Sequence, residues 1–335
     1  MKLGVVGLGY WGPNIVRNAV ENSRISSVTV CDMNPDNVKR VTDKYAVRVA
    51  DSYNAMLSSD VDIIAVITPI STHYTLAKKA LEASKHILVE KPFTVKPEEA
   101  EELIQIAKEK NLKILVDHTF VYTSAVRKLR EMVDSGEVGK IYYFDSVRVN
   151  LGLFQHDVNV VWDLAPHDFS IMNFLVSEKP VALSAQGAAH IGAPGIQNMS
   201  YIHVEFGSGL VAHFHVNWLS PVKIRKTLIG GSKKMIEYDD LNVVDKIKVY
   251  DKGVVVQDVK DDEEFYKELI QYRSGDVHVP QIDNTEALQV MIDHFLDCIE
   301  QDRCPDTDGD SGLKVVKLLD AAERSMAAGG AKVQI

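Results

Sequence analysis

Hydrophobic residues in the first 118 positions fall into short runs, separated by longer stretches that repeat their apolar residues at a helical spacing. The runs lie at 3–6, 25–31, 61–67, 86–89 and 112–116, and the helical stretches at 36–45, 72–83 and 97–110. The run at 61–67 is almost continuously apolar, as expected for a parallel strand buried on both faces. This alternation predicts an α/β domain with a doubly wound parallel sheet.

The pattern changes after residue 118. Helices are predicted at 124–135 and 162–176, with a long alternating strand at 141–151 between them. Short strands then dominate, at 181–190, 199–206, 210–218, 223–229, 234–238, 246–250 and 253–258. Tight turns between several of them predict a large, mostly antiparallel sheet that leaves one face open. Two helices, at 286–299 and 312–328, precede a glycine-containing tail that is expected to fray.

These two patterns predict two domains. Residues 1–120 are predicted to form the α/β domain with the doubly wound parallel sheet, and residues 121–335 to form an α+β domain around the large sheet. The C-terminal helix at 312–328 is a candidate for packing back on the first domain.

Composition narrows the class of protein. The chain has 335 residues, 46% hydrophobic and 25% charged, with no apolar stretch long enough for a membrane span and no signal-peptide pattern, so we expect a cytoplasmic protein. Its three cysteines lack metal-ligand spacing and predict neither a metal site nor a disulfide framework. A formal net charge of −10 argues against nucleic-acid binding.

The segment Gly7-Leu8-Gly9-Tyr10-Trp11-Gly12 lies where the first strand ends and a helical pattern begins. In a dinucleotide-binding loop, the first glycine allows a tight turn, the second lets the backbone approach a pyrophosphate, and the third lets helix pack on strand. The second strand ends in Asp32, whose carboxylate suits a ribose diol and repels a 2′-phosphate. The sequence therefore predicts NAD rather than NADP.

Two further polar clusters follow strands of the same sheet. Glu90-Lys91-Pro92 follows the strand at 86–89, and Thr68-Pro69 with His73 follows the strand at 61–67. Ligands bind at the carboxyl ends of parallel strands, so Lys91 is expected beside the cofactor. Thr68 and His73 are candidates to reach its sugar or phosphate. Helix capping is the alternative interpretation of the second cluster.

The segment Trp162-Asp163-Leu164-Ala165-Pro166-His167-Asp168 carries a candidate acid–base pair. If this stretch is helical, Asp163 and His167 share one face, and the carboxylate can orient the imidazole. An imidazole titrates near neutral pH, which suits proton transfer. The alternative interpretation is that these polar residues cap the start of a helix. Because Pro166 lies between Asp163 and His167, the sequence does not fix the helical register of this segment.

In this order, the motifs resemble the glucose-fructose oxidoreductase / inositol dehydrogenase / MocA family over nearly the whole chain. Glu90-Lys91-Pro92 is the most specific sign. The resemblance implies a Rossmann domain, a second domain with a large open antiparallel sheet, a nicotinamide cofactor, and sugars, sugar derivatives or cyclitols as substrates. It implies that Lys91 and His167 flank the reacting carbinol. It also implies that copies pair through the open sheet face into dimers or tetramers.

The chain departs from the usual family pattern at Ile70, where asparagine is common, and at Ala165, where glycine is common. Its Trp-Asp-Leu-Ala-Pro-His-Asp version resembles a branch of 3-dehydrogenases and 3-ketoreductases that act on UDP-linked N-acetylhexosamines or their uronates. The candidate cofactor-binding residues are Gly7, Gly9, Tyr10, Trp11, Gly12, Asp32, Thr68, Pro69, His73, Glu90 and Lys91.

Three basic residues suit a nucleotide-linked substrate. Strand alternation predicts that Lys223 and Arg225 share one face, and Arg148 lies on the long strand at 141–151. Such a group can hold a diphosphate, and arginine can bind it bidentately. A solvated, charged strand face is the alternative interpretation.

The resulting hypothesis is reversible oxidation of a secondary sugar alcohol by NAD. In this hypothesis, His167 takes the hydroxyl proton, Asp163 orients the imidazole, and Lys91 hydrogen-bonds the carbinol oxygen. The sequence leaves open which of Lys91 and His167 accepts the proton. Two alternatives remain: a dehydrogenase of a free sugar or inositol, and a non-catalytic NAD-binding sensor on the same fold.

Overall fold

The first sheet has six parallel strands in the order β3-β2-β1-β4-β5-β6. The strands are β1 (Lys2–Val6), β2 (Ser27–Cys31), β3 (Arg48–Val49), β4 (Ile63–Val66), β5 (His86–Glu90) and β6 (Ile114–Asp117). Every pairing between them is parallel. The predicted doubly wound sheet is therefore confirmed. The sequence pattern missed β3, because its two exposed residues bury no hydrophobic run.

These assignments come from a computed structural model that describes residues 1–152, 158–192, 195–256 and 270–335. The chain divides into two compact units. The first comprises Met1–Thr123, Phe169–Phe174 and Thr285–Asp320, and the second comprises Ser124–Asp168, Leu175–Asn284 and Ala321–Ile335. The last two positions of the strand predicted at 253–258 lie outside the described residues.

The described helices of both units are α1 (Gly12–Glu21), α2 (Pro35–Thr42), α3 (Tyr53–Leu57), α4 (Ile70–Glu82), α5 (Pro97–Glu109), α6 (Ser124–Asp134), α7 (Val160–Leu175), α8 (Ala287–Glu300) and α9 (Gly309–Ala327). Asn34 caps α2 and Ser52 caps α3 by accepting backbone N–H groups. Among the described residues, no helix is long and apolar enough to cross a membrane.

The core of the first unit lies on both faces of its sheet. Leu3 and Val5 of β1 face one cluster, which includes residues of α1 and α8, while Val6 faces a second cluster with residues of α4 and α5. Successive strand side chains point to opposite faces, so β1 supplies both clusters. Val316 of α9 also belongs to the second cluster.

The second unit contains a nine-stranded sheet in the order β16-β13-β12-β11-β7-β10-β9-β8-β17. Its strands are β7 (Ile141–Leu151), β8 (Pro180–Ala188), β9 (Met199–Phe206), β10 (Val211–Asn217), β11 (Leu219–Gly231), β12 (Met235–Asp239), β13 (Ile247–Tyr250), β16 (Val277–His278) and β17 (Val333–Gln334). Strands β14 (Gly253–Val256) and β15 (Ile270–Arg273) pair with each other. The mostly antiparallel sheet is confirmed, but β7 lies between β10 and β11 and runs parallel to β10, which interrupts the predicted meander.

The C-terminal tail is ordered, so the expectation that it frays is wrong. Ser325 of α9 donates its hydroxyl to the Ala331 carbonyl at 2.6 Å and accepts the Ala185 N–H of β8 at 2.8 Å. Beyond this link, β17 pairs with β8. Strand pairing and a buried hydroxyl offset the flexibility of the glycines at 329 and 330.

Candidate active site

The glycine-rich loop has the backbone geometry that each of its glycines was predicted to provide. Gly7 has φ +92°, and a Cβ there would overlap the Ile67 carbonyl. A Cβ on Gly12 would overlap the Gly7 carbonyl, so the start of α1 lies directly on the end of β1. A Cβ on Gly9, in contrast, would meet no atom within 4 Å. The loop is thus tight at both ends and open in the middle, as a pyrophosphate site requires.

Asp32 organises this loop. Its carboxylate accepts the Leu8 N–H at 2.6 Å and the Asn34 N–H at 2.7 Å, with the Asn37 amide at 3.3 Å. A carboxylate offers about four acceptor positions, so Asp32 retains capacity for a ribose hydroxyl. The residue lies half-buried at the end of β2, where a ribose diol is expected.

Arg40 of α2 is a candidate cofactor contact that the sequence analysis missed. Its guanidinium donates to the Leu8 carbonyl at 2.6 Å and to the Gly9 carbonyl at 3.1 Å. The side chain is exposed and places a positive charge beside the open part of the loop. The one signal in the sequence is its position on the helix that follows Asp32.

His73 has a structural role in place of the predicted cofactor contact. The residue is 1% exposed, and its ring nitrogens lie 2.9 Å from the Pro92 carbonyl and 2.8 Å from the Thr68 carbonyl. Burial lowers the pKa of His73 below its ordinary value. The prediction is wrong for this residue because both nitrogens are used inside the protein. His73 instead ties the end of β4 to the turn after β5.

Thr68 and Pro69 occupy the turn between β4 and α4. The Thr68 hydroxyl lies 2.7 Å from the Thr72 hydroxyl, which donates to the Pro69 carbonyl at 2.8 Å. These contacts do not cap α4, because its N-cap residue is Pro69 and no side chain there accepts a backbone N–H. Both turn residues keep part of their surface accessible and stay predicted cofactor contacts.

Glu90 and Lys91 lie at the carboxyl end of β5, and the Lys91–Pro92 peptide bond is cis. Glu90 pairs in register with Asp117 at the end of β6, so the two acids are neighbours on adjacent parallel strands. Glu90 as a whole is half-buried, and its predicted cofactor contact stays a prediction. Asp117 also accepts the Trp11 indole N–H at 3.1 Å, so Trp11 of the glycine loop points inward.

Tyr10, next to Trp11 in the loop, is 91% exposed. Its side chain is therefore accessible, and the predicted cofactor contact of Tyr10 stays a prediction. Within the first unit, the structure thus brings together the glycine loop, Asp32, Glu90 and the unpredicted Asp117 at one edge of the sheet.

In the second unit, α7 continues through Pro166 without a break. Asp163 and His167 are four residues apart in this helix, so they lie on one face, as predicted. Asn159 starts the helix by accepting the Val161 N–H at 3.0 Å and the Trp162 N–H at 3.3 Å. Asp163 accepts the Trp218 indole N–H at 2.9 Å, which fixes one carboxylate oxygen.

Trp218 is a fully buried residue whose role the sequence analysis missed. Its backbone N–H donates to the Asn198 carbonyl at 2.9 Å, and its carbonyl accepts the Gly152 N–H at 3.0 Å. A Cβ on Gly152 would overlap the indole ring, which explains the glycine at that position. Trp218 therefore connects the ends of β7 and β10 to the α7 carboxylate.

The predicted substrate contact of Arg148 is wrong. The residue is 3% exposed, and its guanidinium donates to both Asp168 oxygens, at 2.8 and 2.9 Å. Although burial opposes the charge, Asp168 raises the pKa of Arg148 above its ordinary value. The position of Arg148 on the strand predicted at 141–151 did not reveal that Asp168 would cover it.

Arg225 and Lys223 differ in how accessible their side chains are. Arg225 is half-buried, pairs in register with Arg148 and donates to Asp240 at 3.2 Å. Lys223 lies where the register between β11 and β7 shifts, so simple alternation does not relate the two side chains. Lys223 is exposed. Of the three predicted basic residues, it is the one most accessible to a ligand.

Comparisons with known proteins agree with this geometry. Residues 1–118 match a family model described as oxidoreductase family, NAD-binding Rossmann fold, and residues 126–237 match the GFO/IDH/MocA C-terminal domain. The parallel sheet, the open glycine loop and these matches together define an NAD-binding oxidoreductase. More specifically, the chain belongs to the Gfo/Idh/MocA family.

Two relatives align with the whole chain. The UDP-N-acetylglucosamine 3-dehydrogenase of Acidithiobacillus ferrooxidans is 26% identical over 94% of each chain. The inositol 2-dehydrogenase of Rhizobium meliloti is 24% identical over 98% of this chain and 97% of the relative. A solved structure of the former enzyme superimposes with a TM-score of 0.81, at 25% identity and over 98% of each chain.

The open middle of the glycine loop leads to a first prediction. We expect Gly9→Ala to leave the melting temperature unchanged, because its Cβ meets no protein atom. The same change should weaken NADH binding about tenfold, or by roughly 1.4 kcal/mol, because the methyl group occupies the approach to the pyrophosphate. NADH fluorescence titration and thermal melting measure the two quantities. Gly207→Ala, whose Cβ would lie no closer than 3.5 Å to any other atom, is the control. Unchanged NADH affinity in Gly9→Ala would place the pyrophosphate elsewhere.

The buried ion pair leads to a second prediction. We expect Arg148→Met to lower the free energy of unfolding by about 3–5 kcal/mol, because it leaves Asp168 buried without a counter-ion. The double variant Arg148→Met/Asp168→Leu should regain much of this loss. Urea unfolding measures both, and Arg130→Met in the exposed Arg130–Asp134 pair should have little effect. Lost substrate affinity with unchanged stability would instead restore Arg148 as a substrate contact.

Proposed function

We propose that this protein is an NAD-dependent oxidoreductase that acts on a secondary alcohol of a nucleotide-linked sugar, at C3 of a UDP-N-acetylhexosamine or its uronate. The observation that carries the proposal is the full-length alignment with a UDP-N-acetylglucosamine 3-dehydrogenase. The uninterrupted helix through the Asp163–His167 motif supports it, because that motif is the part of the chain that resembles the nucleotide-sugar branch.

The residues of the first unit fit the cofactor. Gly9 leaves the backbone open to the pyrophosphate, Arg40 adds a positive charge beside it, and Asp32 retains capacity to accept a ribose hydroxyl. When bound, NAD supplies the hydride acceptor of the reaction. The remaining chemistry, which is orientation of the alcohol and movement of its proton, belongs to the side chains.

We assign those tasks to Lys91, His167 and Asp163. The His167 imidazole accepts the hydroxyl proton. Asp163 lies one helical turn away, accepts the Trp218 indole N–H and orients the imidazole. The Lys91 ammonium hydrogen-bonds the carbinol oxygen and stabilises its developing negative charge. Lys223 is our candidate contact for the substrate diphosphate, because it is exposed whereas Arg148 is buried and Arg225 half-buried.

A substrate panel and two variants test this assignment. Purified protein mixed with NAD and UDP- or dTDP-linked sugars should produce NADH, measured by absorbance. We expect Lys91→Met and His167→Asn each to lower turnover by about 10²–10⁴-fold, the range for a positioned proton-transfer group, with NADH affinity largely retained in His167→Asn. Lys79→Met, an exposed lysine of α4, is the matched control. Normal turnover in Lys91→Met would remove that residue from the mechanism.

A second candidate function is oxidation of a cyclitol. It is favoured by the alignment with an inositol 2-dehydrogenase, which also spans nearly the whole chain. Activity with inositols or free sugars, and none with nucleotide-linked sugars, would select this candidate and leave Lys223 without its proposed role. Bound NAD that no substrate of the panel reduces would favour a non-catalytic sensor.

We also propose that a second copy of the chain covers the open face of the large sheet. A groove of 440 Å³ on this face is lined by Asp145, Ser184, Tyr201, His203, His213 and His215, among others. Tyr201 is 55% exposed and stacks on His215 with ring centroids 4.3 Å apart. His213 bridges the Asp145 carboxylate, at 3.1 Å, and His203, at 2.9 Å. Ordered aromatic and imidazole groups on a broad sheet face suit an isologous interface.

Sedimentation velocity tests this interface. We expect the parent protein to sediment as a dimer or tetramer and Tyr201→Asp to shift it towards monomer, because the new charge would be buried without a partner. Tyr272→Asp is the control, since this tyrosine is 85% exposed on the separate β14–β15 pair. A monomeric parent protein, or an unchanged assembly in Tyr201→Asp, would contradict the proposal.

A further inference from the structure

Two acidic side chains meet at the carboxyl edge of the first sheet. Glu90 ends β5 and Asp117 ends β6, and the two are paired in register on neighbouring parallel strands. Asp117 is 2% exposed, and Oε2 of Glu90 is inaccessible to solvent even though the residue as a whole is half-buried. Two like charges in such a place repel strongly, so the distribution of protons between them decides what the pair can do.

The hydrogen-bond donors are divided unequally between the two carboxyl groups. Asp117 accepts the Trp11 indole N–H on one oxygen and the Thr119 hydroxyl on the other. Oε2 of Glu90 accepts no hydrogen bond from any described residue. Burial raises the pKa of Asp117 above its ordinary value, although its hydrogen-bond donors offset part of this effect. Burial and the Asp117 charge raise the pKa of Glu90 well above its ordinary value. A proton on Glu90, donated to Asp117, satisfies the pair.

The neighbouring titratable groups support the same protonation. Lys91 acts electrostatically on both acids and also on His118, which follows Asp117 in the chain. His118 is completely buried, which lowers its pKa to about 3 and keeps it neutral. With one proton shared by the two acids, a single negative charge faces the Lys91 ammonium and the cluster is neutral. Without that proton, the buried cluster would carry an excess negative charge.

We propose that Glu90 and Asp117 share one proton and act as the positioning pair of the cofactor site. Protonated Glu90 donates to Asp117, and the Asp117 carboxylate holds Trp11 of the glycine loop and faces the Lys91 ammonium. The pair thereby links the backbone that receives the cofactor to the lysine that follows β5. Its effect on turnover rests on the proposed function, whereas its protonation and its link to the loop do not.

The shared proton has a defined consequence for stability. The folded protein retains a proton on Glu90 that the unfolded chain releases above the ordinary carboxyl pKa, so stability decreases as pH rises from that value. Glu90→Gln is an isosteric copy of the protonated acid, and its amide N–H can still donate to Asp117. We therefore expect Glu90→Gln to melt at a higher temperature than the parent protein, by a margin that grows from about pH 5 to about pH 8.

Infrared spectroscopy and NADH titration complete the test. The parent protein should show the carbonyl stretch of a protonated carboxylic acid near neutral pH, and Glu90→Gln should lack it and bind NADH as tightly as the parent. Glu90→Ala and Asp117→Asn should both weaken NADH binding, because the loop loses its support at Trp11. Glu82→Gln, an exposed acid on α4, should alter neither signal.

Turnover provides the remaining measurement. Asp117→Asn should lower kcat by about 10–100-fold with a smaller change in substrate KM, as expected if Lys91 is displaced by about 1 Å. Glu90→Ala should also lower kcat, and Glu90→Gln should restore it. If no sugar or cyclitol reduces NAD, the proposed function fails, and the infrared, melting and NADH data still decide on the pair. A parent protein without the acid band, or Glu90→Gln less stable than the parent at every pH, would overturn the shared proton. Unchanged NADH affinity in Asp117→Asn would overturn the link to the loop.

Discussion

The close approach of two backbone segments at Gly7 and Gly12 is the constraint on which the nucleotide-binding edge depends. No side chain fits between the end of β1 and the start of α1, so the loop that joins them can take few shapes. Three contacts then hold that loop: Asp32 accepts the Leu8 N–H, Arg40 donates to the Leu8 carbonyl, and Trp11 donates to Asp117. The open surface at Gly9 is thus preorganised, with its shape set by the protein before any ligand arrives.

Both units bury ionisable side chains, and each unit compensates the buried charge in a different way. In the second unit, Asp168 neutralises Arg148 through two hydrogen bonds, and the paired charges lie between the sheet and α7. In the first unit, Glu90 and Asp117 carry the same kind of charge, so a proton takes the place of the counter-ion. Because desolvation makes an uncompensated charge costly, each arrangement ties its neighbouring elements to one geometry.

Much of the fold and part of the site could be predicted from the sequence, because those features depend on local patterns. Buried strands have apolar runs, and the roles of Gly7, Gly9 and Gly12 follow from their spacing after a strand. The errors at His73 and Arg148 have another cause: their partners, Pro92 and Asp168, are distant in sequence, and only the fold reveals them. Asp117, Arg40 and Trp218 were missed for the same reason.

The position of β7 has a consequence for how the chain reaches its native state. This strand is made first among those of the large sheet, yet it lies at the centre, flanked by β10 and β11. The backbone N–H and C=O groups of β7 have no strand partner until some seventy further residues have been synthesised. Strand β8, at the outer side of the sheet, gains its second partner only when Val333 pairs with Leu183. Non-local pairing of this kind slows folding and leaves strand edges exposed until the last strand is made.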